Sequence, residues 1–203
     1  GIPRPGEVSL AHQGVLFLDE LPEFPRHVLE QLRQPLEEGT VMIARSSGTI
    51  TFPARLMLVS AMNPCPCGYY GDSTRECRCT PGIIQRYLAK VSGPLLDRID
   101  MHIEVPAVAF KELRGKSDGV TSAEIRARVE ATREVQRARG FYNSEIPHSQ
   151  LRKLCALDEQ GEKTLEMAVR RMNLSARAHD RILRVARTIA DLDHADKVSS
   201  KHV

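Results

Sequence analysis

The chain has 203 residues, of which 41% are hydrophobic and 27% charged, and a formal net charge of +3. That size supports one sizeable core, or a core plus a smaller helical unit, and the composition excludes extended disorder. No run approaches the roughly 20 apolar residues of a membrane helix, and no charged-then-apolar leader follows Gly1, so the expectation is a cytoplasmic protein with no membrane partner, read as a segment of a longer chain. Charge divides unevenly: residues 1–110 carry 10 Lys and Arg against 12 Asp and Glu, a balance of −2, and residues 111–203 carry 19 against 14, a balance of +5. The basic half suits nucleic acid or, more plainly, a solvated helical face.

Gly1 to Gln13, with two prolines and two glycines, predicts irregular chain. Gly14-Val15-Leu16-Phe17-Leu18-Asp19-Glu20 then reads as a short strand buried on both faces, as in a parallel sheet, running into two carboxylates. Open α/β sheets bind ligands beyond the C-terminal ends of their strands. Two acids there fit the Walker B pattern, one carboxylate helping to hold Mg²⁺ on phosphates and the second polarising the attacking water. The alternative is a buried strand followed by an acidic turn.

Pro25 suits the start of a helix whose buried face is Val28, Leu29, Leu32 and Leu36, with a kink at Pro35 and a left-handed C-cap at Gly39. Thr40 to Ala44 and Thr49 to Phe52 flank Arg45-Ser46-Ser47-Gly48 as a hairpin. Arg55 to Ala61 is a second candidate for a buried strand, and it delivers Asn63 to the same sheet edge as Asp19 and Glu20. Asn63 there can hydrogen-bond the attacking water or a terminal phosphate, or simply form an Asx turn before Pro64.

Cys65-Pro66-Cys67 and Cys77-Arg78-Cys79 place four thiols within 15 residues. In a reducing compartment such a group reads as a metal site rather than two disulfides. Tetrahedral Zn²⁺ on Cys65, Cys67, Cys77 and Cys79 fits, stapling a loop with little core of its own; free or redox-active thiols are the alternative. Cys155, on a helical apolar face with Leu151 and Leu154, reads as a packed core thiol.

Ile83 to Val91 predicts a helix, and Met101 to Val105 an alternating strand. Arg98, just before that strand, suits either an ion pair with the flanking Asp97 and Asp100 or an arginine finger reaching a neighbouring subunit's nucleotide. Ala107 to Val120 reads as linker. Its Gly115-Lys116-Ser117 imitates the end of a phosphate-binding loop, but Phe110 stands where that pattern needs Gly, and no other match occurs in the chain. Thr121 to Glu124 is a capping box opening a helix to about Arg139, closed by Gly140. Three more helices are predicted over Ser149 to Leu157, Gly161 to Met172 and Ser175 to Leu192. In the last, Ile182, Leu183, Val185, Ala186, Ile189 and Ala190 form the core side and Arg177, Arg181 and Arg184 share another face. Asp193, His194 and Ala195 form a break, and the chain stops in what reads as the first turn of another helix.

Several stretches together resemble the AAA+ ATPases of the magnesium-chelatase subunit I-like family, and within it the ComM branch most closely. They are Pro3 to Glu7, His12 to Leu21, Ala61 to Gly68, Ser92 to Asp100, Leu174 to Arg177 and Arg184 to Leu192, and the four cysteines point to that branch rather than to chelatases proper. The resemblance implies Asp19 and Glu20 as the Walker B pair on Mg²⁺ and ATP, Asn63 as sensor 1, Arg98 as the trans-acting arginine finger and Arg177 as sensor 2. It also implies that the 40–52 hairpin lines a ring's central pore, where Arg45 is the candidate DNA contact. In the family a phosphate-binding loop precedes this region, and none is present here.

The expected fold is therefore α/β: a partial AAA+ core with a parallel sheet and helices over residues 1–108, then an α-helical lid over 109–203. The expected function is a Mg²⁺-dependent ATPase, assembled with itself as a hexameric ring, that acts on DNA in branch migration during recombination in natural transformation. The segment alone is expected to be inactive. The alternatives are ATP-driven insertion of Mg²⁺ into a porphyrin, and a zinc-stapled interaction module without catalysis.

Overall fold

A computed structural model describes residues 3–46, 48–72, 74–106 and 119–203, which fall into two compact units within residues 1–108 and 109–203. The first unit runs α1 (Glu7–Leu10), β1 (Val15–Leu18), α2 (Arg26–Gln31), α3 (Arg33–Glu38), β2 (Thr40–Arg45), β3 (Gly48–Pro53), β4 (Met57–Ser60), α4 (Pro81–Leu88) and α5 (Gly93–Leu96). β1 and β4 pair in parallel, Val15 opposite Met57 through Leu18 opposite Ser60. A parallel pair needs a long crossover, and here the crossover holds α2, α3 and the antiparallel β2–β3 hairpin, whose ladder runs from Thr40 opposite Pro53 to Arg45 opposite Gly48.

The core of this unit lies on one side of the sheet. Leu16 and Leu18 of β1 pack against buried Leu21, Leu29, Leu32, Val91 and Leu95. The expectation of a strand buried on both faces is corrected: Val15 and Phe17 are 58% and 59% exposed. Strand alternation sends them to the opposite face, where no described element covers them.

Three further expectations change. The helix after Pro25 is two helices broken at Leu32, because Pro35 has no N–H to give the carbonyl of Gln31 and its ring crowds that carbonyl, so the chain unwinds in the turn before it. Gly39 closes α3 in the left-handed conformation at φ 67°, its N–H on Pro35 O, as expected. Glu7 to Leu10 forms a short helix where irregular chain was expected. Met101 to Val105 forms no strand, and Ile103 and Val105 are 80% and 82% exposed. An alternating segment becomes a strand only when a neighbour takes up its backbone groups, and no described strand pairs with it.

In the second unit, α6 (Ser122–Arg139) begins in the expected capping box: the Glu124 N–H donates to Thr121 Oγ1 (3.3 Å) and the Thr121 N–H to Glu124 Oε2 (2.7 Å). Gly140 ends it at φ 94°. α7 (His148–Leu154), α8 (Glu159–Met172) and α9 (Ala176–Leu192) follow, around a core of Ile146, Leu151, Cys155, Leu165 and Leu183 and a second cluster of Ala186, Ala190 and Val198. Cys155 is a packed thiol, as its spacing indicates. Ile189, expected on the core side of α9, is instead substantially exposed. The chain ends in a single 3₁₀ turn, Ser200–His202. The expected linker from Ala107, including Gly115-Lys116-Ser117, lies outside the described residues as far as residue 118. No helix among the described residues is long and apolar enough to cross a membrane.

This unit also holds a buried charge cluster that periodicity does not announce. The Asp191 carboxylate accepts from Arg187 Nε (3.0 Å), Arg139 Nη2 (2.5 Å) and Asn143 Nδ2 (2.8 Å), and its side chain is 1% exposed. Burial alone would raise its pKa, but the Arg139 and Asn143 hydrogen bonds and the two guanidinium charges hold it below the usual carboxylate range. Asp191→Asn leaves Arg187 and Arg139 facing each other without a counter-charge, and we expect it to cost about 3–5 kcal/mol in denaturant unfolding. A depressed carboxylate pKa gives stability that is full above the unfolded-state value of about 4 and lost as pH falls through the folded value. The variant should therefore lose less stability than the parent chain below about pH 4.

Candidate functional site

The parallel pairing of β1 and β4 continues past the strand ends. The Ala61 N–H donates to Leu18 O (3.0 Å) and the Leu21 N–H to Ala61 O (3.0 Å), so the chain carrying Asp19 and Glu20 bows out beside the chain leading to Asn63. The acidic pair and Asn63 thus share one sheet edge, at the carboxyl ends of both strands. Asp19 Oδ1 accepts the Glu20 N–H at 2.8 Å, and both acids are exposed.

Glu20 is left-handed, at φ 51° and ψ 45°. A residue with a Cβ costs on the order of 1–2 kcal/mol there. The strain turns the chain sharply at the strand end, and nothing in the sequence marks it: Gly or Asn would be the ordinary occupant.

The feature that sequence reading missed is Tyr87. It lies on the buried face of α4, and its hydroxyl takes a hydrogen bond from the Asn63 backbone N–H. Burial first, then the nearby charge of Glu23, raises its pKa, and the charges of Glu20 and Cys65 act in the same direction. One phenol therefore sits among the acidic edge, Asn63 and the first cysteine. Tyr87 belongs to the α4 apolar face, so periodicity gives it only a core role.

The four cysteines converge. Cys65 Sγ lies 3.4 Å from Cys67 Sγ and 3.7 Å from Cys77 Sγ, Cys67 and Cys77 are 3.6 Å apart, and all four sulfurs, Cys79 included, fall within 4.8 Å of one another. Four thiolates around Zn²⁺ at about 2.3 Å sit at tetrahedron corners roughly 3.8 Å apart, so the spacing fits that donor set. The backbone N–H groups of Tyr69 and Arg78 hold the Cys67 thiol down at about 6, against burial. A backbone hydrogen bond from Cys79 favours the Cys77 thiolate, but burial and the neighbouring sulfurs of Cys67 and Cys65 push it up to about 12. Cys65 is shifted down as well and Cys79 up, so two of the four thiols favour ionisation and two resist it, and a dication on the four sulfurs would favour the thiolate at each. Gly68, at φ 83°, makes the turn between the ligands, its N–H on Cys65 O. Arg75, within the same loop, stacks over Tyr69, 5.1 Å from the ring centroid.

Arg98 follows α5 with its side chain 10% exposed. It donates to Pro94 O (2.6 Å) and is paired with Glu37 at the end of α3. Arg45 stands at the hairpin tip, opposite Gly48. In the helical unit, Ser175 Oγ accepts the Ala178 N–H (3.2 Å) and caps α9, placing Arg177 in its first turn. Beside that end lies a cleft of about 410 Å³ lined by His148, Ser175, His179 and Asp180 among others. Asp180 accepts from His148 Nδ1 at 2.6 Å and His179 Nδ1 at 3.3 Å. His148 and Asp180 stand 32 positions apart, and nothing in the sequence signals their meeting.

The family model described as magnesium chelatase, subunit ChlI, matches residues 1–113, and the one for the subunit ChlI C-terminal region matches 119–203. Competence protein ComM of Haemophilus influenzae is 47% identical over 204 residues, covering 100% of this chain and 40% of that protein. Protein YifB of Escherichia coli is 44% identical with the same coverage. The chloroplastic magnesium-chelatase subunit ChlI of Oryza sativa subsp. indica is 26% identical over 192 residues, 94% of this chain and 36% of that one. The chain thus spans about 40% of the length of the curated relatives it matches.

Proposed function

The chain belongs to the magnesium chelatase subunit ChlI family of AAA+ proteins, and we propose on that footing that it is the water-activating part of a ring-forming, Mg²⁺-dependent ATPase acting on DNA. The observation that carries the hydrolysis reading is the shared sheet edge: two exposed carboxylates and an asparagine meet at the carboxyl ends of paired parallel strands. Hard oxygen donors of this kind suit Mg²⁺. Asp19 would hold the ion, Glu20 would take up the proton of the attacking water, and Asn63 would orient that water or the terminal phosphate. Bound Mg²⁺ supplies charge neutralisation on the phosphates. Within residues 1–203 no phosphate-binding loop occurs, so ATP turnover is assigned to a protein of the relatives' length.

Arg98 is proposed to complete a neighbouring subunit's site, a role that requires its pair with Glu37 to open, and Arg177 to act on phosphate from the lid. The cysteine cluster is proposed to hold Zn²⁺ as a structural ion, on the sulfur spacing above.

The DNA reading is favoured over porphyrin metallation by similarity: 47% identity to a competence protein against 26% to a chelatase subunit. We propose branch migration during recombination in natural transformation, with the β2–β3 hairpin and Arg45 facing the strand. The test is binding of a protein of the relatives' length to branched DNA across salt concentrations. Phosphate contacts should give a log–log slope near −0.9 per contact, made shallower by Arg45→Ala. Binding without salt dependence would remove the DNA reading.

A further inference from the structure

We infer that the cysteine cluster and Asn63 form one mechanical unit, joined through Pro64 and braced by Tyr87, so that metal in the cluster sets the position of the Asn63 backbone at the acidic edge. The inference rests on the reading of the cluster as a Zn²⁺ site. Four observations carry it. Asn63 is separated from Cys65 only by Pro64, whose ring leaves that link little freedom, and Cys65 is fully buried. The Asn63 N–H is held by the hydroxyl of Tyr87, which is itself buried on α4. The turn at Gly68 comes back over the asparagine: a Cβ added at Gly68 would lie 4.0 Å from Asn63 Oδ1. Apart from Cys65, none of the described residues from Asn63 to Thr80 is buried, so little but the sulfur cluster and Tyr87 holds this stretch.

The geometry divides the labour. Cys65 fixes the chain on one side of Asn63, where the strand β4 fixes it on the other, and the Tyr87 hydroxyl fixes the amide between them. Tyr87 is thus a positioning residue, acting on the edge through Asn63. An Asn whose backbone drifts by 1 Å would no longer present its amide at a defined place beside Asp19 and Glu20.

The test uses the 203-residue chain, with zinc content and amide hydrogen exchange read on the same sample. With one zinc per chain, Asn63 should exchange slowly. Removing zinc with a high-affinity chelator should speed Asn63 exchange by at least about tenfold while Ala186 and Ala190, in the helical unit, keep theirs. Tyr87→Phe should retain one zinc per chain and still speed Asn63 exchange by about tenfold, since only the acceptor of that N–H is lost. Slow Asn63 exchange in the zinc-free chain, or in Tyr87→Phe with zinc bound, would overturn the coupling and leave the zinc site standing. A chain that binds no zinc would overturn the zinc reading and the coupling with it.

Discussion

Replacing Glu20 by Gln, in a protein of the relatives' length, should lower ATP turnover by about 10²–10⁴-fold and leave ATP binding within about threefold. The amide has the shape of the carboxylate but cannot accept a proton from water at neutral pH, so the loss falls on the chemical step. Glu20 is well suited to be tested this way. It is exposed, and its left-handed backbone is set by the turn between β1 and the Leu21–Glu23 segment rather than by its carboxylate, so the substitution leaves the edge in place. Asp19→Asn should behave differently, weakening Mg²⁺-dependent nucleotide binding as well as turnover, because Asp19 is assigned to the ion. Equal effects of the two substitutions on binding would show that the roles have been divided wrongly.

The second large effect is expected at the cysteines. Cys65→Ser should reduce bound zinc from one per chain to below about 0.1, because Cys65 is the buried sulfur within 3.7 Å of both Cys67 and Cys77 and a hydroxyl is a poor ligand for this ion. With the ion gone, the loop has no core to hold it, and amide protection should fall through Cys65 to Cys79. Cys155→Ser is the control. That thiol is packed among Leu151, Leu165 and Leu183, where burial raises its pKa, so its replacement should cost about 1–3 kcal/mol of stability and leave metal content unchanged. Zinc content unaltered in Cys65→Ser, measured by elemental analysis, would refute the site.

The elements of this fold were legible wherever a local rule decides them. Thr121 and Glu124 cap α6, Gly39 and Gly140 take left-handed C-caps, and a short apolar run ahead of two acids lies beside a second such run in parallel. Wherever tertiary surroundings decide, the sequence was silent or misleading. Val15 and Phe17 are as apolar as Leu16 and Leu18, so composition cannot say that only one face of β1 meets a core. Met101 to Val105 alternates perfectly and still forms no strand, because pairing is supplied by a neighbour and not by the segment. The candidate site divides the same way. Asp19, Glu20, Asn63 and the four cysteines stand out as residue types at telling places, whereas Tyr87 is one apolar-face position among several. The contact of Tyr87 with Asn63 spans 24 positions of sequence, and the Arg139–Asp191 pair 52.

The claim on which the rest depends is that this chain carries the water-activating edge of an ATPase whose phosphate cradle lies outside residues 1–203. Phosphate release from ATP and Mg²⁺, measured side by side for the 203-residue chain, for a protein of the relatives' length, and for each with Glu20→Gln, tests it most directly. The account predicts release by the longer protein alone, abolished by Glu20→Gln. Turnover by the longer protein that survives Glu20→Gln, or release by the 203-residue chain that Glu20→Gln removes, would contradict it.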